Sequence, residues 1–226
     1  MKKKFEAEYF LFAGKARPFI MLLMLIVISG ICFLMAAALW QVSLIIAPIL
    51  GMAVLSFMDY FVFAGFNSRK SIGMDMMKSS NRGRAIIVEA LKQDIVNKVI
   101  FMFLASTIAM TEALVLNPGI EDILFVIVYG IAGFASGVVL LNAVLLLDRA
   151  KGLTMQTHIL ICYLFYSVGS LAILPLIFIS EQMSVPLMSA YAAVALIIAV
   201  ILSVVMVKSC IRAFDSSFHD APESAA

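Results

Sequence analysis

The chain has 226 residues, 64% of them hydrophobic and only 13% charged, with a mean hydropathy of +1.09 and a formal net charge of +2. A soluble domain of this length carries about 45–50% apolar residues, so too little polar sequence is present to coat a globule. A water-soluble fold is thereby excluded, nothing calls for a nucleic-acid partner, and most of the surface must face lipid.

The chain opens with Met1-Lys2-Lys3-Lys4 and then places Phe5, Tyr9, Phe12 and Ala16 at i, i+4, i+7 and i+11, with Lys and Glu elsewhere. That spacing predicts an amphipathic helix lying in the headgroup plane. Pro18 disfavours α geometry at Arg17 and makes an elbow before the apolar run that follows. A basic start, an apolar run and Ala36-Ala37-Ala38 also resemble a signal peptide. The run is longer than an h-region of about 7–15 residues, however, and a retained first span is expected.

A hydrocarbon core of about 30 Å needs about 20 apolar residues per helix. Residues 18–66 suffice for two spans, with a turn at Trp40-Gln41 because Trp favours the interface. The hydropathy pattern predicts an all-α, polytopic membrane protein with six spans, at about 19–40, 42–65, 99–116, 123–147, 158–179 and 185–207. The breaks are residues 117–122, 148–152 and 180–184, and Pro186 suits the first turn of the last span, where its missing N–H is not needed. Pro48 and Pro175 fall within spans, where they can kink a helix or open a local gap. Gly130, Gly133 and Gly137 form a small-residue face on the fourth span, expected to pack within the chain.

Orientation follows from the basic residues. All sixteen Lys and Arg fall on one side of this map: before the first span, between the second and third, and after the fourth and sixth. The opposite connections carry only Glu121, Asp122 and Glu181. This predicts a multi-pass protein of the cell (plasma or inner) membrane with both ends in the cytosol.

Residues 67–98 form the one sizeable segment outside the spans. A polar, Gly-containing stretch with Met74, Met76 and Met77 reads as adaptable packing against a partner. Ile87, Leu91 and Ile95 then line one helical face, away from Glu89, Lys92, Gln93 and Asn97, and Asp94 and Lys98 have the spacing of a favourable i,i+4 pair. A short helix leading into the third span is expected, its apolar stripe and flanking Arg82 and Arg84 docking a cytosolic partner.

Ionisable groups inside spans cost about 2.5–3.5 kcal/mol at the centre on insertion scales, so each raises a functional question. Asp59, near the cytoplasmic end of the second span, is suited to pair with a basic group, bind a proton or line an entry route. Glu112, near the outer end of the third, reaches toward outer water or lines an exit. His158 reads as interfacial, and the widely spaced Cys32, Cys162 and Cys210 as small hydrophobes without disulfide or metal-ligand spacing. There is no G-x-x-x-x-G-K-[ST], no H-E-x-x-H and no G-x-S-x-G. Catalysis by this chain alone, with ATP, a cofactor or a metal of its own, is not expected.

The elbow helix, the six spans, the N-in/C-in topology and the cytoplasmic helix between spans two and three together resemble ABC-2-type exporter permeases across the whole chain. The resemblance rests on architecture, without a diagnostic motif, and the very short outer loops depart from many members. It implies two permease subunits, this chain with a second copy or a homologue, and separate cytosolic ATPase subunits that bind ATP and Mg. The loop between spans two and three would be the coupling helix, through Arg82, Arg84, Ile87, Leu91 and Ile95. An amphipathic or lipid-like substrate, such as a hydrophobic peptide, suits the apolar spans. Two alternatives are a secondary transporter using Asp59 or Glu112 as proton site, and a non-transporting scaffold or immunity protein. Against the former, no inverted repeat is discernible.

Overall fold

In a hydrocarbon solvent every backbone N–H and C=O must find its partner within the chain, and a run of Leu, Ile, Val, Ala and Met meets that demand as a helix. The computed structural model describes residues 17–62, 82–119, 123–151, 156–157, 159–164, 167 and 184–216. Five long helices lie among them: α1 Arg17–Ala38, α2 Trp40–Val62, α3 Gly83–Leu116, α4 Ile123–Lys151 and α5 Val185–Ser216. Each contains a segment long and apolar enough to cross a membrane, and no strand occurs among the described residues. This is an all-α, multi-pass membrane protein. The expected elbow helix, residues 74–77, His158, Pro175 and most of the expected fifth span lie outside the described residues; 159–164 are helical.

The first two helices meet at a single non-helical residue, Leu39, rather than at Trp40-Gln41. Leu39 N donates to Met35 O (2.7 Å) and Val42 N donates to Leu39 O (3.0 Å), so the hairpin turns without losing its backbone bonds. Trp40 then opens α2, and its ring packs edge-on against Phe125 and Tyr129 of α4.

The small-residue face of α4 finds its partner on α2. A Cβ at Gly133 would lie 2.8 Å from the carbonyl oxygen of Leu44, and one at Gly137 would lie 2.7 Å from Cβ of Pro48. Pro48 has no N–H to give Leu44, four residues earlier. The freed carbonyl therefore lies where only a glycine lets a second backbone approach. Pro48 is itself buried in this seam, so the expected local gap is filled.

The α4–α5 contact is the most extensive in the bundle. It is parallel: Ser136 meets Tyr191 and, further along both helices, Asn142 meets Ser203. Arg84 at the start of α3 bonds Asp215 at the end of α5, which puts these termini at one end of the bundle, here termed the basic end. At the opposite, far end, Asn117 Nδ2 donates to Ala36 O (3.0 Å) and ties α3 to the end of α1. Large apolar side chains remain exposed on the flanks of α1 and α5, among them Phe19, Ile26, Leu34, Ile197 and Val200, as lipid-facing surface requires.

Candidate functional site

α3 positions most of the residues singled out by sequence. The 34-residue helix is continuous from Gly83 to Leu116. The short helix expected to lead into the third span is therefore continuous with it. No Pro or Gly interrupts residues 84–98, and good helix formers such as Ala85, Glu89, Ala90, Leu91 and Lys92 carry the turn onward.

The expected apolar docking stripe is already occupied. Ile87 and Leu91 are 0% exposed and belong to the chain's own core, and Ile95 packs against that core half-buried. The spacing was right for one face of a helix; what covers that face is this bundle, so it does not offer itself to a partner. The outward flank carries the charges instead. Arg82, Arg84 and Lys92 are exposed, and Lys92 Nζ bonds Glu89 (3.1 Å).

Arg84 grips Asp215 with two parallel bonds, Nε to Oδ1 at 2.9 Å and Nη2 to Oδ2 at 3.1 Å. Hydrogen bonding from the guanidinium holds the Asp215 carboxyl below its usual range. Deeper along α3, Lys98 Nζ bonds Asp94 Oδ2 at 2.6 Å, with 1% and 0% of the two side chains exposed. The i,i+4 pair was legible in sequence; its complete burial was not.

Further toward the far end, Ser29 Oγ of α1 donates to Glu112 Oε1 at 2.6 Å, while Glu112 Oε2 is buried without a hydrogen-bond partner. Glu112 thus sits in the α1–α3 seam and one of its oxygens does not reach water. Asp59 lies in the last turns of α2, and its side chain is outside the described residues. The structure does not bring Asp59 and Glu112 together as one described site.

Between α1 and α3 runs a groove of about 360 Å³, lined by Pro18, Met21, Leu22 and Leu25 on one side and Asn97, Ile100, Phe101 and Leu104 on the other. Its size falls in the range of small-molecule pockets, about 300–1,000 Å³. Its walls are apolar apart from Asn97, which accepts a bond from Gln93. Sequence reasoning missed this groove, and also missed the small cavity at the α4–α5 seam whose lining includes Tyr129, Ser136 and Tyr191. A seven-residue spacing from Tyr129 to Ser136, two helical turns, was the available signal for the latter.

No protein-family model, curated protein or solved structure matches this chain.

Proposed function

We propose that this chain is the membrane-spanning permease subunit of an ATP-driven, ABC-2-type exporter. It would move an amphipathic or hydrophobic substrate, such as a peptide or lipid-like molecule, out of the cell while separate cytosolic subunits hydrolyse ATP. The observation that carries this reading is the continuity of α3. Thirty-four residues make a rod of about 51 Å at 1.5 Å per residue, against a hydrocarbon core of about 30 Å. The surplus projects at the basic end, which the positive-inside rule assigns to the cytosol. A cytosolic ATPase pushing on the charged flank formed by Arg82, Arg84, Glu89 and Lys92 acts on a stiff lever, because Ile87 and Leu91 lock it into the bundle.

Parallel packing of α4 and α5 supports six spans. Two parallel helices joined in sequence need a return passage, and residues 152–184 include the apolar stretch 158–179. Both termini then lie in the cytosol of a plasma or inner membrane. The apolar groove between α1 and α3 suits the hydrophobic part of an amphipathic substrate. A second permease copy or a homologue completes the pathway, with Asp59 and Glu112 as the ionisable groups along it.

The test is to purify the full chain from its native membranes, identify an associated P-loop ATPase, and reconstitute both in liposomes. Glu89→Ala with Lys92→Ala alters the exposed flank without touching the core. At least a tenfold loss of ATPase association or of substrate-stimulated hydrolysis is expected, with insertion unchanged. Absence of any associated ATPase would overturn the proposal.

A proton-coupled secondary transporter is the second reading, favoured by the Glu112 carboxylate that Ser29 holds within the bundle. It predicts uptake driven by a pH gradient in ATPase-free liposomes, abolished by Glu112→Gln.

A further inference from the structure

The bond from Asn117 Nδ2 to Ala36 O ties the end of α3 to the end of α1, so the two helices run parallel and both begin at the basic end. The groove of about 360 Å³ between them therefore follows the bundle axis, with Pro18 and Asn97 toward the basic end and Leu25 and Leu104 deeper. From 18 to 25, as from 97 to 104, is seven residues, about 10 Å of helix. Beyond Leu25, the 2.6 Å bond from Ser29 to Glu112 draws the two helices together. Phe101 is the buried part of the lining at 4% exposure, whereas Leu22 and Leu104 stand 58% and 46% exposed on the rims.

The depth of the groove follows from α1. Its 22 residues make about 33 Å at 1.5 Å per residue, close to the hydrocarbon core of about 30 Å. Pro18 then sits at one hydrocarbon boundary, and the groove occupies the leaflet at the basic end. A concavity facing lipid is filled by hydrocarbon, because an empty one forfeits the dispersion contacts of its lining. A flexible acyl chain suits it.

What distinguishes one lipid from another is the headgroup, and the mouth carries selecting chemistry. Asn97 is the polar side chain of the lining, and its Oδ1 accepts from Gln93 Nε2 at 3.0 Å. That leaves Nδ2 to donate, and the phosphate and ester oxygens of a lipid are acceptors. Arg17 directly precedes Pro18 on α1. The carboxylates of α3 at this end do not offset it: Glu89 bonds Lys92, and Asp94 bonds Lys98 with its side chain fully buried.

We propose that this groove is a selective lipid site: it seats one acyl chain of an anionic phospholipid from the leaflet at the basic end, with the phosphate at the mouth marked by Arg17 and Asn97. Basic sites between spans on the cytoplasmic side bind anionic headgroups in this way. The site needs neither an ATPase nor a transported substrate, so it stands apart from the exporter reading.

The experiment uses the full chain, whose one tryptophan is Trp40. In a Trp40→Phe background, Leu22→Trp and Leu104→Trp put a fluorescent ring on either rim, each sufficient for the test, and Ile197→Trp puts one on the exposed flank of α5. Each variant is reconstituted without ATPase in vesicles of phosphatidylcholine and phosphatidylglycerol, one or the other with brominated chains, and quenching gives the relative affinity at that position. Phosphatidylglycerol should be preferred about fivefold at positions 22 and 104, the effect of one basic residue at a membrane surface, with no preference at 197. Arg17→Gln should bring the ratio at the rims near one; a preference that survives this change contradicts the placement of the headgroup. Equal ratios at the rims and at 197 overturn the proposal, by reducing the groove to ordinary lipid-facing surface. Rims shielded from both brominated lipids while 197 is quenched overturn it as well, by assigning the groove to a second copy or to another segment of this chain.

Discussion

Lys98 and Asp94 form an ion pair at 2.6 Å with almost no exposed side chain, and Lys98 is among the largest fully buried side chains described. Taking both charges out of water is expensive, and their attraction offsets this only while both are present. Lys98→Met alone takes this ammonium away from the buried Asp94 carboxylate and should cost about 3–5 kcal/mol. Adding Asp94→Leu should recover that loss, since apolar replacements of a buried pair are neutral or stabilising by about 1–4 kcal/mol. Equilibrium unfolding in mixed micelles measures both. A double variant as unstable as the single would show that more than charge pairing holds this turn. The pair's spacing was readable in sequence, but its burial was not, because four residues of spacing carry no information about which side of α3 the bundle covers. The same gap explains Ile87 and Leu91: an apolar stripe requires a cover, and periodicity cannot tell a partner's groove from the chain's own helices.

Helix contacts in this protein are set where backbones approach most closely. Gly133 faces the Leu44 carbonyl that Pro48 leaves without a helical donor, whereas an added Cβ at Gly30 would meet nothing within 4 Å. Apolar side chains gain little from burial when the alternative solvent is lipid, so close packing and interhelical hydrogen bonds carry association. Gly133→Ala should therefore push α4 from α2, at an overpacking cost of about 1–3 kcal/mol. Gly30→Ala should be neutral or mildly stabilising, since Ala exceeds Gly in helix propensity by about 0.8–1.0 kcal/mol. Unfolding midpoints of the two variants in the same detergent test the contrast, and equal loss at both sites would mean that the α2–α4 contact is not the limiting one. The glycine face was visible in sequence as an intrachain packing surface. Its partner was not, because the notch depends on a proline 85 residues earlier acting on the carbonyl four residues before it.

The bundle as a whole has a basic end, where Arg84 meets Asp215, and a far end, where Asn117 meets Ala36. Gly119, Lys92 and Arg212 are exposed and mark the two ends. In a background with Cys32, Cys162 and Cys210 replaced by Ala, Gly119→Cys should react with a membrane-impermeant maleimide in intact cells. Lys92→Cys and Arg212→Cys should react only after permeabilisation. Reversed labelling would invert the orientation, and labelling of positions 92 and 212 from opposite sides would contradict the packing of α3 on α5.

The sequence by itself determined that this chain lives in a membrane as a set of helices and where most of their limits lie, because lipid forbids unpaired backbone and hydropathy registers that prohibition over windows of about 20 residues. It also determined the placement of the basic residues at one end. Only the tertiary structure decided that α3 runs unbroken into the bundle, that its apolar stripe is sealed inside, that α4 and α5 run parallel, and that Ser29 meets Glu112 across 83 residues. Those are questions of which helix face meets which neighbour, and in a chain whose faces are nearly all apolar, hydropathy has no contrast with which to answer them.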